Sequence, residues 1–175
     1  MSVEKNKNRS YILTLTRAAL VAAIVFVLTS TLKLPTHTGY VHLGDAAVCL
    51  AAIILPQPIA LVTAALGASL ADLAAGYPMW ILPTALIKAL MTLAFTSKSE
   101  KILCVRNYIA FAIAILINAA GYYLAGSVIY GDFAVSLPEI PTNLLQSAVG
   151  AVLWLLLCVF LDANPKVKNV FRQSK

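Results

Sequence analysis

Charge is what this chain has least of. Asp, Glu, Lys and Arg together make up 11% of the 175 residues, against 61% hydrophobic residues, and the mean hydropathy is +0.86. A soluble domain of this length cannot cover itself with so little polar surface, so the composition excludes an ordinary globular protein and points to lipid as the solvent. Cysteine is sparse and unpatterned. Cys49, Cys104 and Cys158 form no CxxC pair; two lie in apolar stretches and one in a basic loop, which favours reduced thiols over a disulfide or a metal site. The two histidines, His37 and His42, have no partnering Cys or Glu motif, so neither a metal cluster nor a nucleophile with its base is on offer, and the chain is not expected to be an enzyme or to need a cofactor. No GxxxxGK[ST] phosphate loop occurs, so any ATP spent on this protein's behalf is hydrolysed by another chain.

What is present is apolar sequence in lengths suited to a bilayer, where a spanning helix takes about 20 residues. Six stretches qualify as helices, at about 11–31, 41–55, 59–75, 79–95, 107–129 and 141–161. They use most of the chain, so the expectation is an all-α integral membrane protein of six transmembrane helices and a single membrane domain over residues 1–175. The first run is too long for a signal-peptide core and lacks a small-residue cleavage site, so it reads as a retained helix. Pro56-Gln57-Pro58, Gly76-Tyr77-Pro78 and the set Gly131, Pro138 and Pro141 punctuate the helices, as residues that stop a helix do.

Orientation follows from the basic residues. With the amino terminus inside, the cytoplasmic segments hold Lys5, Lys7, Arg9, Arg17, Lys98, Lys101, Arg106, Lys166, Lys168, Arg172 and Lys175, eleven of the 13 Lys and Arg; Lys33 is external and Lys88 lies within helix 4. This positive-inside bias places both termini in the cytoplasm of a plasma-membrane protein and argues against dual topology. It also accounts for the net charge of +6, leaving no call for a nucleic-acid partner. The external connectors, 33–40 and 131–141, are long, polar and aromatic, which suits either a binding mouth or plain connectors.

Asp45, Asp72, Lys88, Asn118, Asn143 and Gln146 lie in or at the ends of apolar helices, where polar groups face a cavity or a partner. Lys88 shares a helix face with Thr84 and Trp80; it serves either a ligand oxygen, a structural pairing with Asp45 or Asp72, or a snorkelling route to the cytoplasm. Asp45 opens helix 2, where a capping role suits the positive helix start. Asn118 pairs in spacing with Tyr122, and Asn143 with Gln146. Those amides either bridge helices or, beside Tyr122 and Tyr123, line a site for a small flat polar molecule. Small residues recur four apart on helix 1 (Ala18 to Ala22, Ala19 to Ala23) and on helix 3 (Ala60, Ala64, Ala68; Gly67, Ala71, Ala75), which permits close helix approach.

The stretches His42-Leu43-Gly44-Asp45-Ala46, Leu50-Ala51-Ala52, Gly67-Ala68-Ser69-Leu70-Ala71-Asp72-Leu73, Gly76-Tyr77-Pro78 and Ile87-Lys88 resemble the substrate-binding S components of energy-coupling factor (ECF) vitamin transporters, and more narrowly the riboflavin-type branch. The resemblance implies a six-helix fold that binds a water-soluble vitamin or precursor at the extracellular side. Uptake would proceed with a membrane T component and two cytoplasmic ATPase subunits. It implies T-component docking at Ala18, Ala19, Ala22 and Ala23, a gate at Thr36 to Tyr40, and ligand contacts at Tyr77, Trp80, Thr84, Lys88, Asn118, Tyr122, Asn143 and Gln146. Tyr40 and Asp72 complete the candidate set. Pro56-Gln57-Pro58 stands where relatives often have a Gly-Pro turn. The branch label favours riboflavin, but members are also assigned to vitamin B6 and to the thiamine pyrimidine precursor. The modest polar set and the aromatics Trp80, Tyr122 and Tyr123 suit a single pyridine or pyrimidine ring ahead of riboflavin. The competing expectation, a self-sufficient transporter or channel, requires charges along a through-path, whereas the polar residues here gather toward the outer half.

Overall fold

A computed structural model describes residues 2–31, 33–35 and 40–171, with side chains from residue 7 to residue 170 apart from those at 34 and 35. Thr36 to Gly39, most of the expected gate, and the basic residues Lys5, Arg172 and Lys175 fall outside the described side chains. The order is α1 (Ser2–Ser30), β1 (Leu34–Pro35), β2 (Tyr40–Val41), α2 (Gly44–Ile54), α3 (Gln57–Ala75), a 3-10 turn (Pro78–Trp80), α4 (Ile81–Thr92), α5 (Val105–Tyr130), α6 (Glu139–Ala163) and α7 (Pro165–Phe171). The short strands pair antiparallel, Leu34 opposite Val41 and Pro35 opposite Tyr40.

Proline and glycine set the helix ends. Pro56 precedes α3 and Pro58 sits in its first turn, where the missing N–H is no loss. Gly76 ends α3 at φ 81° and Gly131 follows α5 at φ 69°, left-handed conformations that glycine adopts without a Cβ clash. Four helices are long and apolar enough to cross a membrane: 7–30, 57–75, 105–130 and 139–163. The other two expected spans are shorter. α2 has 11 residues and α4 has 12, lengths of about 17 Å at 1.5 Å per residue, against a hydrocarbon core of about 30 Å. α2 begins three residues later than the hydropathy suggested because Tyr40 and Val41 are taken by the hairpin. α4 stops at Thr92 because the chain then turns to meet α5, with Asn107 accepting the Thr96 N–H and donating to the carbonyls of Thr96 and Ile102.

The short α2 is the centre of the bundle. Nearly every side chain from Asp45 to Leu55 is buried, enclosed by α1, α3, α4 and α6. α3 packs most extensively, against α1 and α4, through Ala60, Ala64, Gly67, Ala68 and Ala71, all buried. A Cβ on Gly67 would stand 2.7 Å from the Ala22 carbonyl oxygen, so this contact is backbone on backbone. Leu, Ile and Val side chains of α1, α5 and α6 cover the outside, as expected of surfaces solvated by acyl chains. At one end of the bundle Asp162 accepts the N–H groups of Ile102 and Leu103, both at 3.0 Å, and pairs with Lys168. The other end carries the cavity.

Candidate functional site

The cavity forms where β2, the end of α3, the 3-10 turn, α4, α5 and the first turns of α6 converge. Tyr40, His42, Asp72, Tyr77, Trp80, Thr84, Tyr122, Glu139, Thr142, Asn143 and Gln146 line it. The cavity is partly open to the outside, and its empty space, mouth included, is about 460 Å³. A roomier groove outside β2 and α6 is lined mainly by Val41, Leu43, Leu145 and Val149, a surface for acyl chains rather than for a water-soluble ligand.

One wall is aromatic. Trp80 lies 5.5 Å from Tyr122 and 6.3 Å from Tyr130, and Tyr40 lies 5.7 Å from Tyr77, all centroid to centroid. Thr84 Oγ1 and the Tyr122 hydroxyl are hydrogen-bonded at 2.9 Å. The Tyr40 hydroxyl donates to Asp72 Oδ1 at 2.7 Å. Burial, and then the Asp72 carboxylate, raise the Tyr40 phenol above its ordinary value, so it remains the donor in that bond. Asp72 Oδ2 is buried without a hydrogen-bond partner among the described residues.

The floor is a polar network shared by four helices. Lys88, fully buried, donates to Asp45 Oδ1 at 2.5 Å and to Asn118 Oδ1 at 2.7 Å. Gln146 donates to Asp45 Oδ2 at 2.7 Å and accepts the backbone N–H of His42 at 3.1 Å, tying α6 to α2 and to the link between β2 and α2. Asn118 donates to Asn143, and Asn143 donates to Glu139 Oε2. His42 Nδ1 accepts the Gly44 N–H at 3.1 Å, which leaves the proton of the neutral ring on Nε2. Burial lowers the His42 pKa to about 4, so the ring is neutral at pH 7; Lys88 and Lys33 act the same way, and Asp45 opposes them.

Of the expected ligand-binding residues, Tyr40, Asp72, Tyr77, Trp80, Thr84, Tyr122, Asn143 and Gln146 line this one cavity. Lys88 and Asn118 lie in the network beneath it, outside the lining. Asp45, read as a helix cap, instead gives both carboxylate oxygens to Lys88 and Gln146. His42, Glu139 and Thr142 were missed, although Glu139, Asn143 and Gln146 fall at i, i+4 and i+7, one helix face. The helix 1 alanines divide. Ala18 and Ala22 turn toward the bundle, whereas Ala19 and Ala23 are exposed on its outside.

The sequence model of the family described as "ECF-type riboflavin transporter, S component" matches residues 9–163. A solved structure of the S component of a bacterial ECF transporter aligns with a TM-score of 0.64 at 21% identity, covering 85% of this chain and 94% of that one. At that identity the likeness shows the fold. No curated protein matches in sequence. The family match spans most of the chain, and the chain accordingly belongs to the ECF-type riboflavin transporter S component family: a multi-pass plasma-membrane protein, substrate-binding and non-catalytic, whose importer hydrolyses ATP on separate subunits.

Proposed function

We propose that this chain captures a small planar vitamin or vitamin precursor from outside the cell and hands it to an importer completed by a T component and two cytoplasmic ATPase subunits. The observation that carries this reading is the cavity, where aromatic rings and hydrogen-bonding groups from six segments converge at one end of the bundle. Such a combination stacks a flat heterocycle and orients its polar edge. The modest polar set and the aromatic rings Trp80 and Tyr122 in the lining support a single pyridine or pyrimidine ring ahead of riboflavin with its ribityl chain.

The reading includes one membrane domain over residues 1–175 with six crossings, α2 and α4 completing the count as short helices held among longer ones, and both termini cytoplasmic. The basic residues at the end opposite the cavity, among them Lys98, Lys101, Arg106, Lys166 and Lys168, support that orientation. Ala19 and Ala23 form the outward part of the docking face for the T component, and Ala18 and Ala22 hold α1 in place behind it. A self-sufficient channel would need a polar path through the molecule, whereas buried Ala46 to Leu55 fill the centre below Asp45 with almost purely apolar side chains.

The test is a titration of the purified, ligand-free chain in detergent with pyridoxine, pyridoxamine, hydroxymethylpyrimidine, thiamine, riboflavin, pantothenate and biotin. Trp80 fluorescence follows binding and calorimetry confirms it. A saturable one-to-one response to one of them is expected. Silence from folded protein across the whole panel overturns the vitamin assignment.

A further inference from the structure

The ionisable groups of the cavity are not balanced. Asp72 and Glu139 both line it, and no Lys or Arg does among the described residues. The nearest buried cation, Lys88, is already neutralised by Asp45 beneath the floor. Lys33 stands over the Tyr40 ring at 4.8 Å and borders the neighbouring groove rather than the cavity. Glu139 Oε2 receives the Asn143 amide, but Asp72 is less well served. Its side chain is part of a residue only 7% exposed, Oδ1 takes the Tyr40 hydroxyl, and Oδ2 makes no well-formed hydrogen bond among the described residues, the Thr84 hydroxyl that faces Asp72 being engaged with Tyr122 at 2.9 Å.

A buried carboxylate oxygen without a donor is costly, and a donor supplied by a ligand recovers that cost as binding energy. A carbonyl or carboxylate brought to the same place would meet repulsion instead. Tyr77 and Trp80 add to the preference, because ring faces attract cationic groups; the Tyr122 ring already has Lys88 Nζ over it at 5.0 Å. Resting on the vitamin-binding reading above, we propose that the cavity selects an amine-bearing heterocycle, with Asp72 Oδ2 as the acceptor that recognises the amine. The same arrangement discriminates against carboxylate-bearing vitamins and against flat rings that present only carbonyls.

Matched pairs differing in one group test this on the full-length protein in detergent: pyridoxamine against pyridoxine, and the aminopyrimidine alcohol against its deaminated counterpart, with riboflavin, pantothenate and biotin alongside. The amine member of at least one pair is expected to bind roughly 10-fold tighter or more, the scale of one hydrogen bond to a charged group. Asp72→Asn keeps an oxygen for Tyr40 but removes the charge, and is expected to bring that ratio to about twofold or less at an unchanged unfolding midpoint. Tyr40→Phe releases Oδ1 and leaves the carboxylate, so the amine preference should survive it; this separates recognition by Asp72 from loss of the Tyr40 contact. If riboflavin or an oxo ring binds tightest, or if the amine preference persists in Asp72→Asn, the inference is overturned while vitamin binding stands. If no compound binds to folded protein, both fall.

Discussion

Replacing Lys88 by methionine is the sharpest test of how the bundle is held. The substitution nearly conserves volume, so it opens little cavity, and its cost is electrostatic. Asp45 would keep the Gln146 donor but lose the ammonium at 2.5 Å, and Asn118 Oδ1 would lose its donor at 2.7 Å. Removing one partner of a buried pair costs about 3–5 kcal/mol. A shift near 4 kcal/mol corresponds to roughly a thousandfold change in the folding equilibrium. Lys88→Met combined with Asp45→Asn removes the stranded charge and keeps an oxygen for Gln146, so it should recover at least half of the loss. Reversible unfolding in mixed micelles reads this through Trp154, which is buried and stacks on Phe111 at 4.6 Å, in the core rather than at the cavity. The reasoning fails if the single variant stays within about 1 kcal/mol of the parent, a change typical of an unremarkable substitution. It fails equally if the double variant is no more stable than the single one.

The two kinds of small residue on α1 and α3 should respond differently. Gly67→Leu drives a side chain into the Ala22 carbonyl and should lower stability by about 1–3 kcal/mol in the same unfolding assay. Ala19→Trp, on the exposed face, should leave stability and ligand titration unchanged while abolishing uptake in cells that supply the T and ATPase subunits. His42 gives a pH dependence. Its pKa is about 4 in the fold against 6.5 for the ordinary group, so below pH 6.5 the unfolded chain takes up a proton that the folded one resists. Stability is therefore lost as pH falls from 6.5 toward 4, by up to ~3 kcal/mol, and His42→Asn should flatten that part of the profile. Asp162→Asn replaces one of the two oxygens that hold Ile102 and Leu103. It should lower stability by about 1–2 kcal/mol with ligand affinity unchanged, since it acts at the far end from the cavity.

The all-helical membrane architecture was legible because apolar runs, proline and glycine are local signals. The lengths of α2 and α4 were not. Hydropathy reports burial without saying whether lipid or protein does the burying, and α2 is enclosed by protein on nearly every side. The candidate site was readable as a set because polar residues in apolar helices are few and must face something. Sorting the set needed distances. Nothing local to Lys88 distinguishes a ligand contact from a structural pair, and Asp45, at a helix start, looks like a cap until Lys88 and Gln146 are brought to it from 43 and 101 residues away. The division of the α1 alanines was likewise invisible, because which of two adjacent registers packs inward depends on where α3 lies.

Those same separations bear on how the chain is made. Ribosomes deliver α2 and α3 together, joined by a turn too tight to part them, and at that moment the Asp45 carboxylate has neither of its partners. A lone charge at membrane depth costs at least a few kcal/mol, and the nascent chain carries that load until α4 arrives with Lys88. Full satisfaction waits longer still, for the last long helix and Gln146. The carboxylate at the start of α2 thus depends for both of its side-chain partners on helices that are synthesised after its own, α4 first and α6 last.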